Sequence, residues 1–186
     1  YGAGGYAPKQ QVSKDNYDLW TALLKAGKKI WATAGSDLHE GASTNALTTL
    51  YAETADAQED QATKYFNCMK VGNTTCGPVG IRMSINGALM GSQVETAFTA
   101  GQKVIFSVGD FHESVYNSNR TYTAKLYKGV SGDEVLVKEY TITNPQKGFI
   151  AAEDVETDAE YYRVEVWDDT AGYALPIAIG NPIWNN

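Results

Sequence analysis

One short stretch of this sequence combines side chains that could bind a metal ion, Gly35-Ser36-Asp37-Leu38-His39. Asp37 and His39 are two residues apart, so in an extended backbone both side chains point to the same side. A carboxylate and an imidazole together suit Zn²⁺, Mn²⁺ or Fe²⁺. The simpler alternative is a chance triplet in a loop, with Asp37 capping a turn and His39 at the surface. The stretch makes Asp37 and His39 candidate metal ligands.

The elements in front of this motif are predicted to be a helix and a strand. Apolar residues recur at helical spacing over residues 13–27, where one face carries Tyr17, Trp20, Leu23 and Leu24. Residues 28–34 then form a predicted short buried strand. This order places the motif at the carboxyl end of a strand, where α/β folds bind ligands and metals.

A second helix is predicted behind the motif. It is expected to begin at Asp56, with Glu59 three positions on in a capping-box arrangement, and to end at Gly72. Its apolar stripe consists of Ala62, Tyr65, Phe66 and Met69.

From about residue 79 the pattern changes to short alternating segments separated by Gly, Asn and Asp. Strands are predicted over residues 81–85, 103–108, 121–128, 134–143, 161–167, 174–179 and 182–184. Asn86-Gly87 is a strong hairpin signal, because a type I′ turn needs positive φ at both positions. Alternation is cleanest over 161–167, where Val164 faces one way and Arg163 and Glu165 the other. The pattern is typical of an antiparallel sandwich.

Composition excludes several classes of function. The 186 residues carry a net charge of −7 and no Lys/Arg cluster, which argues against nucleic acid and against an anionic membrane as partners. No apolar run approaches the length needed to span a bilayer. The chain opens with Tyr1 rather than Met and lacks a signal-peptide pattern, so it is predicted to be a processed product or a piece of a longer protein.

The two cysteines, Cys68 and Cys76, are too few for a zinc knuckle. They are either two buried thiols or, in an exported protein, a disulfide. The twelve tyrosines and two histidines favour an extracellular or cell-envelope bacterial protein, with the cytoplasm as the alternative.

Six segments taken in order resemble a known family. They are residues 20–27, Ile30-Trp-Ala-Thr-Ala-Gly-Ser-Asp-Leu-His39, residues 65–72, Gly77-Pro78, Met83-Ser-Ile-Asn-Gly87 and Ala178-Ile-Gly-Asn-Pro-Ile183. The first four resemble the end of the PHP (polymerase and histidinol phosphatase) catalytic domain, whose last strand ends in Gly-Ser-Asp-x-His. The last two resemble the β-sandwich of its CehA/McbA-like branch of metallohydrolases.

The resemblance implies a mostly β fold with two parts. Residues 1–78 would be a short α/β remnant of the PHP (β/α) barrel, and residues 79–186 an antiparallel immunoglobulin-like β-sandwich. Asp37 and His39 would be the last ligand pair of a two- or three-metal centre, with Zn, Mn or Fe bound in the intact parent protein. The upstream part of the same catalytic domain would be the partner of this chain.

The resemblance also implies what this chain lacks. PHP enzymes use an early His-x-His pair, which does not occur here, and the other histidine, His112, lies in the predicted sandwich, where a loop residue is expected. The chain is therefore expected to be the C-terminal part of a phosphoesterase-like hydrolase, inactive by itself and able to bind metal only weakly. The alternative is a non-catalytic sandwich that acts as a binding or spacer module.

Overall fold

The computed structural model describes residues 13–35, 47–51, 60–113, 115–170 and 172–186. Within these ranges the helices are α1 (Lys14–Lys25) and α2 (Gln61–Val71), and a 3₁₀ helix covers Pro145–Lys147. The strands are β1 (Thr48–Leu50), β2 (Thr74–Cys76), β3 (Gly80–Ile85), β4 (Ala88–Leu89), β5 (Lys103–Gly109), β6 (Tyr122–Val130), β7 (Asp133–Ile142), β8 (Phe149–Asp154), β9 (Tyr161–Asp168), β10 (Ala178–Gly180) and β11 (Ile183–Trp184).

The strands form two antiparallel sheets. The larger, seven-stranded sheet has the order β1-β2-β10-β9-β6-β7, and β11 also pairs with β9. The smaller, four-stranded sheet has the order β4-β3-β5-β8. Two sheets and two helices make the described part of the chain mostly β, consistent with the predicted sandwich.

The inner faces of the two sheets share one hydrophobic core. Ile81 and Phe106 from the smaller sheet belong to the same buried cluster as Tyr122, Leu126 and Val164 from the larger one. The alternating pattern of each strand produces this arrangement, because successive side chains point to opposite faces and the apolar set is removed from water.

The predicted Asn86-Gly87 hairpin is confirmed. Asn86 and Gly87 have φ of 49° and 84°, and the flanking Ile85 and Ala88 are paired between β3 and β4. The turn between β6 and β7 lies at Ser131-Gly132, both with positive φ. Both turns have the left-handed backbone that suits the twist of a two-residue hairpin.

Helix α1 covers the outer face of the larger sheet. Its Trp20 and Leu24 are buried in a second cluster with Tyr161, Ile179 and Trp184. The predicted spacing of Trp20 and Leu24 on one helical face is thereby confirmed. The larger sheet is consequently buried on both faces around β9.

Two expectations for the α/β part need correction. Residues 28–34 were expected to form a buried strand, but they belong to no strand of the structure, and Trp31 is 41% exposed. The second helix begins at Gln61 rather than at Asp56, and Asp60 caps it by accepting a hydrogen bond from the Thr63 N–H. Asp56 and Glu59 lie outside the described residues.

The predicted end of α2 is confirmed, since Gly72 adopts a left-handed φ of 73° as its C-cap. A side chain there would collide with Trp31, because an added Cβ would lie 2.7 Å from the Trp31 Cγ. In the part of the chain that the structure describes, neither helix has the length and apolarity required to cross a membrane.

Candidate functional site

The predicted metal ligands Asp37 and His39 lie outside the described residues, but the structure describes the residues on either side of the segment 36–46 that carries them. The Ala34 N–H donates to the Thr48 hydroxyl oxygen at 2.7 Å, and the same hydroxyl donates to the Ala34 carbonyl at 2.8 Å. The Gly77 N–H donates to the Leu47 carbonyl at 2.7 Å. Ala34 and Leu47, on either side of the segment 36–46, therefore lie close together beside β1 and β2.

The residues before position 36 are held by Asn181, which lies between β10 and β11 and is 1% exposed. Its side-chain oxygen accepts a hydrogen bond from the Ala32 N–H at 2.7 Å, and its amide nitrogen donates to the Ala32 carbonyl at 3.0 Å. The same nitrogen approaches the Thr74 hydroxyl at 2.8 Å and the Thr74 carbonyl at 3.2 Å. One side chain thus joins residues 30–35 to β2 and β10.

Sequence reasoning did not find this role of Asn181. The available signal was a polar residue inside the apolar run 178–184, because a buried amide needs hydrogen-bond partners. The partner Ala32 is 149 residues away in sequence, so no local pattern identifies it.

A second polar cluster lies under α1. Arg163, 1% exposed, forms a bidentate pair with Glu134, with Nε–Oε1 and Nη2–Oε2 distances of 2.5 and 2.7 Å. Its Nη1 donates to Glu165, fully buried, at 2.5 Å. Arg163 and Glu165 were predicted to lie on the face of β9 opposite to Val164, and they do; the structure adds that α1 buries this face.

Aromatic residues complete the cluster around Arg163. Its guanidinium lies 5.2 Å from the Trp20 ring centroid and 4.8 Å from that of Tyr127. Burial opposes the charge on Arg163, but the attraction of Glu165 and Glu134 outweighs it and raises the pKa of Arg163 further. Tyr17 donates its hydroxyl to Glu165, and burial followed by the Glu165 charge raises the pKa of Tyr17. The cluster anchors α1 to the sheet.

The two cysteines are buried, and no disulfide joins Cys68 to Cys76. Of the two alternatives predicted for the cysteines, a disulfide or two buried thiols, the structure shows two buried thiols. Burial raises the pKa of Cys76 to about 12, so this side chain stays protonated at neutral pH. In this protonated state the Cys76 thiol is a poor nucleophile.

The other histidine, His112, lies in the loop after β5. It is exposed, and its backbone N–H donates to the Pro78 carbonyl at 2.8 Å. Among the residues that the structure describes, no group of three His, Cys, Asp and Glu side chains could hold a metal ion. Asp37 and His39 have the right chemistry for zinc, manganese or iron, but a catalytic zinc site needs about three protein ligands. A metal centre built on them requires further ligands.

Helix α2 presents an unusual surface beside this site. Its only buried residue is Cys68, while the predicted apolar stripe is exposed, with Tyr65 at 41%, Phe66 at 65% and Met69 at 41%. We call Tyr65, Phe66 and Met69 the α2 surface. An amphipathic helix normally buries such a stripe, so the exposed α2 surface marks a face that another element can cover.

Comparison with protein-family models, with curated proteins and with solved structures found no match for this chain.

Proposed function

We propose that this chain is the C-terminal part of a PHP-type, phosphoesterase-like metal-dependent hydrolase, with Asp37 and His39 as its last pair of metal ligands. The observation that carries the proposal is the clamped segment 30–35. Its backbone is bonded at Ala32 and Ala34, directly before the motif. A metal-ligand pair needs such support, because ligands must be held within a fraction of an ångström of their working positions.

In this proposal the two sheets are the immunoglobulin-like sandwich of the parent enzyme, and residues before 79 are the end of its catalytic domain. The exposed α2 surface supports this division, because a helix at the edge of a larger domain would bury that stripe against the preceding part of the domain. The upstream part of the same domain is then the partner of this chain.

The remaining ligands of the metal centre would come from that upstream part. Asp37 would contribute a carboxylate oxygen and His39 a neutral imidazole nitrogen, and the bound Zn, Mn or Fe would activate water for hydrolysis. With only two of the ligands, this chain by itself is expected to bind metal weakly and to be inactive.

One observation favours the alternative, in which the sandwich is a binding or spacer module. The outer face of the smaller sheet exposes Leu89, Ile105 and Ile150. The strand tyrosines that could stack on sugars, Tyr161 and Tyr162 among them, are buried instead. A glycan array or protein partner that binds this sheet, with no metal in any longer form of the protein, would favour the module.

The test compares the 186-residue chain with a longer protein that includes the region encoded upstream of Tyr1. Metal content is measured by elemental analysis, and hydrolysis is assayed on aryl phosphates and phosphodiesters with Zn²⁺ and Mn²⁺ supplied. We expect stoichiometric metal and turnover in the longer protein only. In that protein, Asp37→Ala or His39→Ala is expected to reduce turnover by roughly a hundredfold or more.

The matched control is His112→Ala in the longer protein, which removes the other histidine and is expected to leave metal content and turnover unchanged. Tightly bound metal and turnover in the 186-residue chain would contradict the proposal. So would full activity of the Asp37→Ala protein.

A further inference from the structure

The outer face of the smaller sheet has a polar end and an apolar end. Because side chains alternate along a strand, the residues opposite to the buried Ile81, Phe106 and Val108 all lie on this outer face. The strand register arranges them in rows across the sheet, which are Gly80–Gly109, Arg82–Ser107–Ile150 and Ser84–Ile105–Ala152. The first row has no side chains, so it forms a trough beside Arg82.

A cavity of about 250 Å³ lies at this trough, and Tyr51, Asp110 and Lys147 contribute to its lining. Glycine keeps the space open, because a Cβ added at Gly80 would lie 2.6 Å from the Tyr51 hydroxyl oxygen.

A second depression, of about 220 Å³, continues from the cavity along the same face. Arg82, Ser107 and Ile150 line both spaces, and Leu89 and Ile105 line the second one. Ile150 is 75% exposed, so apolar surface is accessible next to the polar end. Together the two spaces reach the roughly 300–1,000 Å³ that is typical of sites for small molecules.

The charged groups of the cavity favour an anionic ligand. Arg82 and Lys147 are cations, while Asp110 is the one carboxylate among the lining residues. Arg82 lies 3.7 Å from the Asp110 oxygen, which is longer than a hydrogen bond. Its guanidinium is placed over the Tyr51 ring, 4.7 Å from the centroid. An arginine held in this way presents a planar set of donors that a carboxylate can accept two at a time.

The Tyr51 hydroxyl is a second observation that points to a ligand. It is buried and has no hydrogen-bond partner in the part of the chain that the structure describes. A buried hydroxyl normally has a partner, since leaving it without one costs free energy. Tyr51 lines the cavity together with Arg82, so a ligand oxygen bound there would supply an acceptor.

We propose that this cavity binds a small organic carboxylate whose apolar chain lies on Ile105 and Ile150. The ligand carboxylate pairs with Arg82 and Lys147, and the chain runs from the glycine trough toward Leu89. Asp110 competes with the ligand for Arg82. The site goes beyond the proposed hydrolase and does not depend on a metal ion, because all of its residues lie on or beside the smaller sheet.

The test uses the 186-residue chain and hexanoate as the probe, followed by NMR of the backbone amides. Hexanoate is expected to shift the amide signals of Gly109, Ser107 and Ile150. Hexanol has a similar chain without the charge, and acetate has the charge without the chain. Each is expected to bind at least about tenfold more weakly than hexanoate, because each lacks one of the two interactions.

Two variants test the charges. Arg82→Gln is expected to weaken hexanoate binding about tenfold or more, since it removes the paired cation. Asp110→Asn removes the competing carboxylate and is expected to strengthen binding. The matched control is Lys103→Gln, because Lys103 lies on the same face, pairs with Asp154 and lines neither space. It should leave the affinity for hexanoate unchanged.

Two further variants test the shape and the apolar end. At Gly109 an added Cβ would have its nearest neighbour, the Gly148 Cα, at 3.9 Å, so Gly109→Ala should fold normally and fill the trough. It is expected to weaken hexanoate binding about tenfold with little change in melting temperature. Ile150→Ser should weaken the binding of hexanoate and leave that of acetate unchanged. Should Arg82→Gln disturb the packing of Tyr51, Lys147→Gln carries the charge test.

Several results would overturn the proposal. Hexanol binding as tightly as hexanoate would show that the sheet face is only an apolar surface. Equal losses for Arg82→Gln and Lys103→Gln would reduce the effect to general attraction of anions. Hexylamine binding more tightly than hexanoate, with the binding lost in Asp110→Asn, would make this a site for cations. None of these results bears on Asp37 and His39, so the proposed hydrolase is tested separately.

Discussion

The cluster around Arg163 buries three charged side chains. The Arg163 guanidinium and the carboxylates of Glu134 and Glu165 leave water together, with guanidinium–carboxylate distances of 2.5–2.7 Å. Removing ions from water costs several kcal/mol each unless every charge is paired and hydrogen-bonded. Here Tyr161 donates to Glu134 at 2.8 Å and Trp167 to Glu165 at 2.9 Å, so the carboxylate oxygens have further partners.

Arg163→Met tests this assessment. The variant keeps most of the volume but leaves two carboxylates without their counter-charge, so we expect it to lower the free energy of unfolding by about 3–5 kcal/mol. Urea denaturation followed by circular dichroism measures the change. The matched control is Lys138→Met, which breaks the exposed pair with Glu153 and should cost less than about 1 kcal/mol. An equal loss in the free energy of unfolding for the two variants would show that the Arg163 cluster contributes no more than an exposed ion pair.

For individual residues, the sequence identified the candidate metal ligands but not the side chains that hold the backbone in front of them. Asp37 and His39 are recognisable because a metal ligand must have one of a few side chains at a regular spacing. Asn181 and Thr48 act through hydrogen bonds to backbone groups, which every residue has, so nothing about Ala32 or Ala34 marks them as partners. That information lies in the topology that brings β10 and β1 beside residues 30–35.

In helix α2 the sequence pattern predicts a buried apolar stripe, and the structure exposes it. Its stripe at residues 62, 65, 66 and 69 is that of a helix packed on one side, yet the helix buries Cys68 and exposes the α2 surface. An exposed apolar stripe of this kind marks an interface more often than a solvated helix face. In the proposed function, the upstream part of the catalytic domain would cover this stripe.

Phe66→Ala tests that interpretation. In the 186-residue chain the side chain is 65% exposed, so its loss should change the free energy of unfolding by less than about 0.5 kcal/mol. In the longer protein the same ring is expected to be buried, and its loss should cost about 3–5 kcal/mol. Lys70→Ala, on the same helix, is the control and should have little effect in either protein. An equal, small cost of Phe66→Ala in both would mean that nothing covers the α2 surface.

The elements also differ in how well their sequences predict them. Strands β3 and β5 follow from their alternation, and the turn between β3 and β4 from Asn86-Gly87, because these signals are local. Strand β8 was not predicted: its Phe-Ile-Ala-Ala-Glu-Asp sequence has low strand propensity, and it forms because the edge of β5 pairs with it from Val108 to Lys103. Residues 28–34 have the pattern of a strand, but Ala32 and Ala34 bond to the side chains of Asn181 and Thr48 rather than to a neighbouring strand.

For the whole molecule, the two hydrophobic clusters draw on different parts of the chain. Every buried residue of the larger cluster lies between Val79 and Ile183. The smaller cluster joins Trp20, Leu24 and Cys76 from the first part to residues of β9, β10 and β11. The larger cluster therefore takes its buried residues from 79–183, with Tyr51 packed against it as a partly buried residue, whereas the cluster on the outer face of the larger sheet includes Trp20, Leu24 and Cys76.

We predict that residues 79–186, expressed alone, fold as an antiparallel sandwich that is less stable than the full chain. The larger core remains intact, so the segment should give β-type circular dichroism and one cooperative thermal transition. It loses the cover of Trp20 and Leu24, each of which contributes about 1.5–3 kcal/mol by burial, and the pairing of β2 with β10. A melting temperature clearly below that of the 186-residue chain is expected.

The control adds α1 back to residues 79–186 as a covalent extension. It should raise the melting temperature less than adding residues 13–78 does, because only the longer addition restores β2. A disordered product would contradict the division at residue 79, and a melting temperature equal to that of the full chain would contradict the stabilising role of α1 and β2.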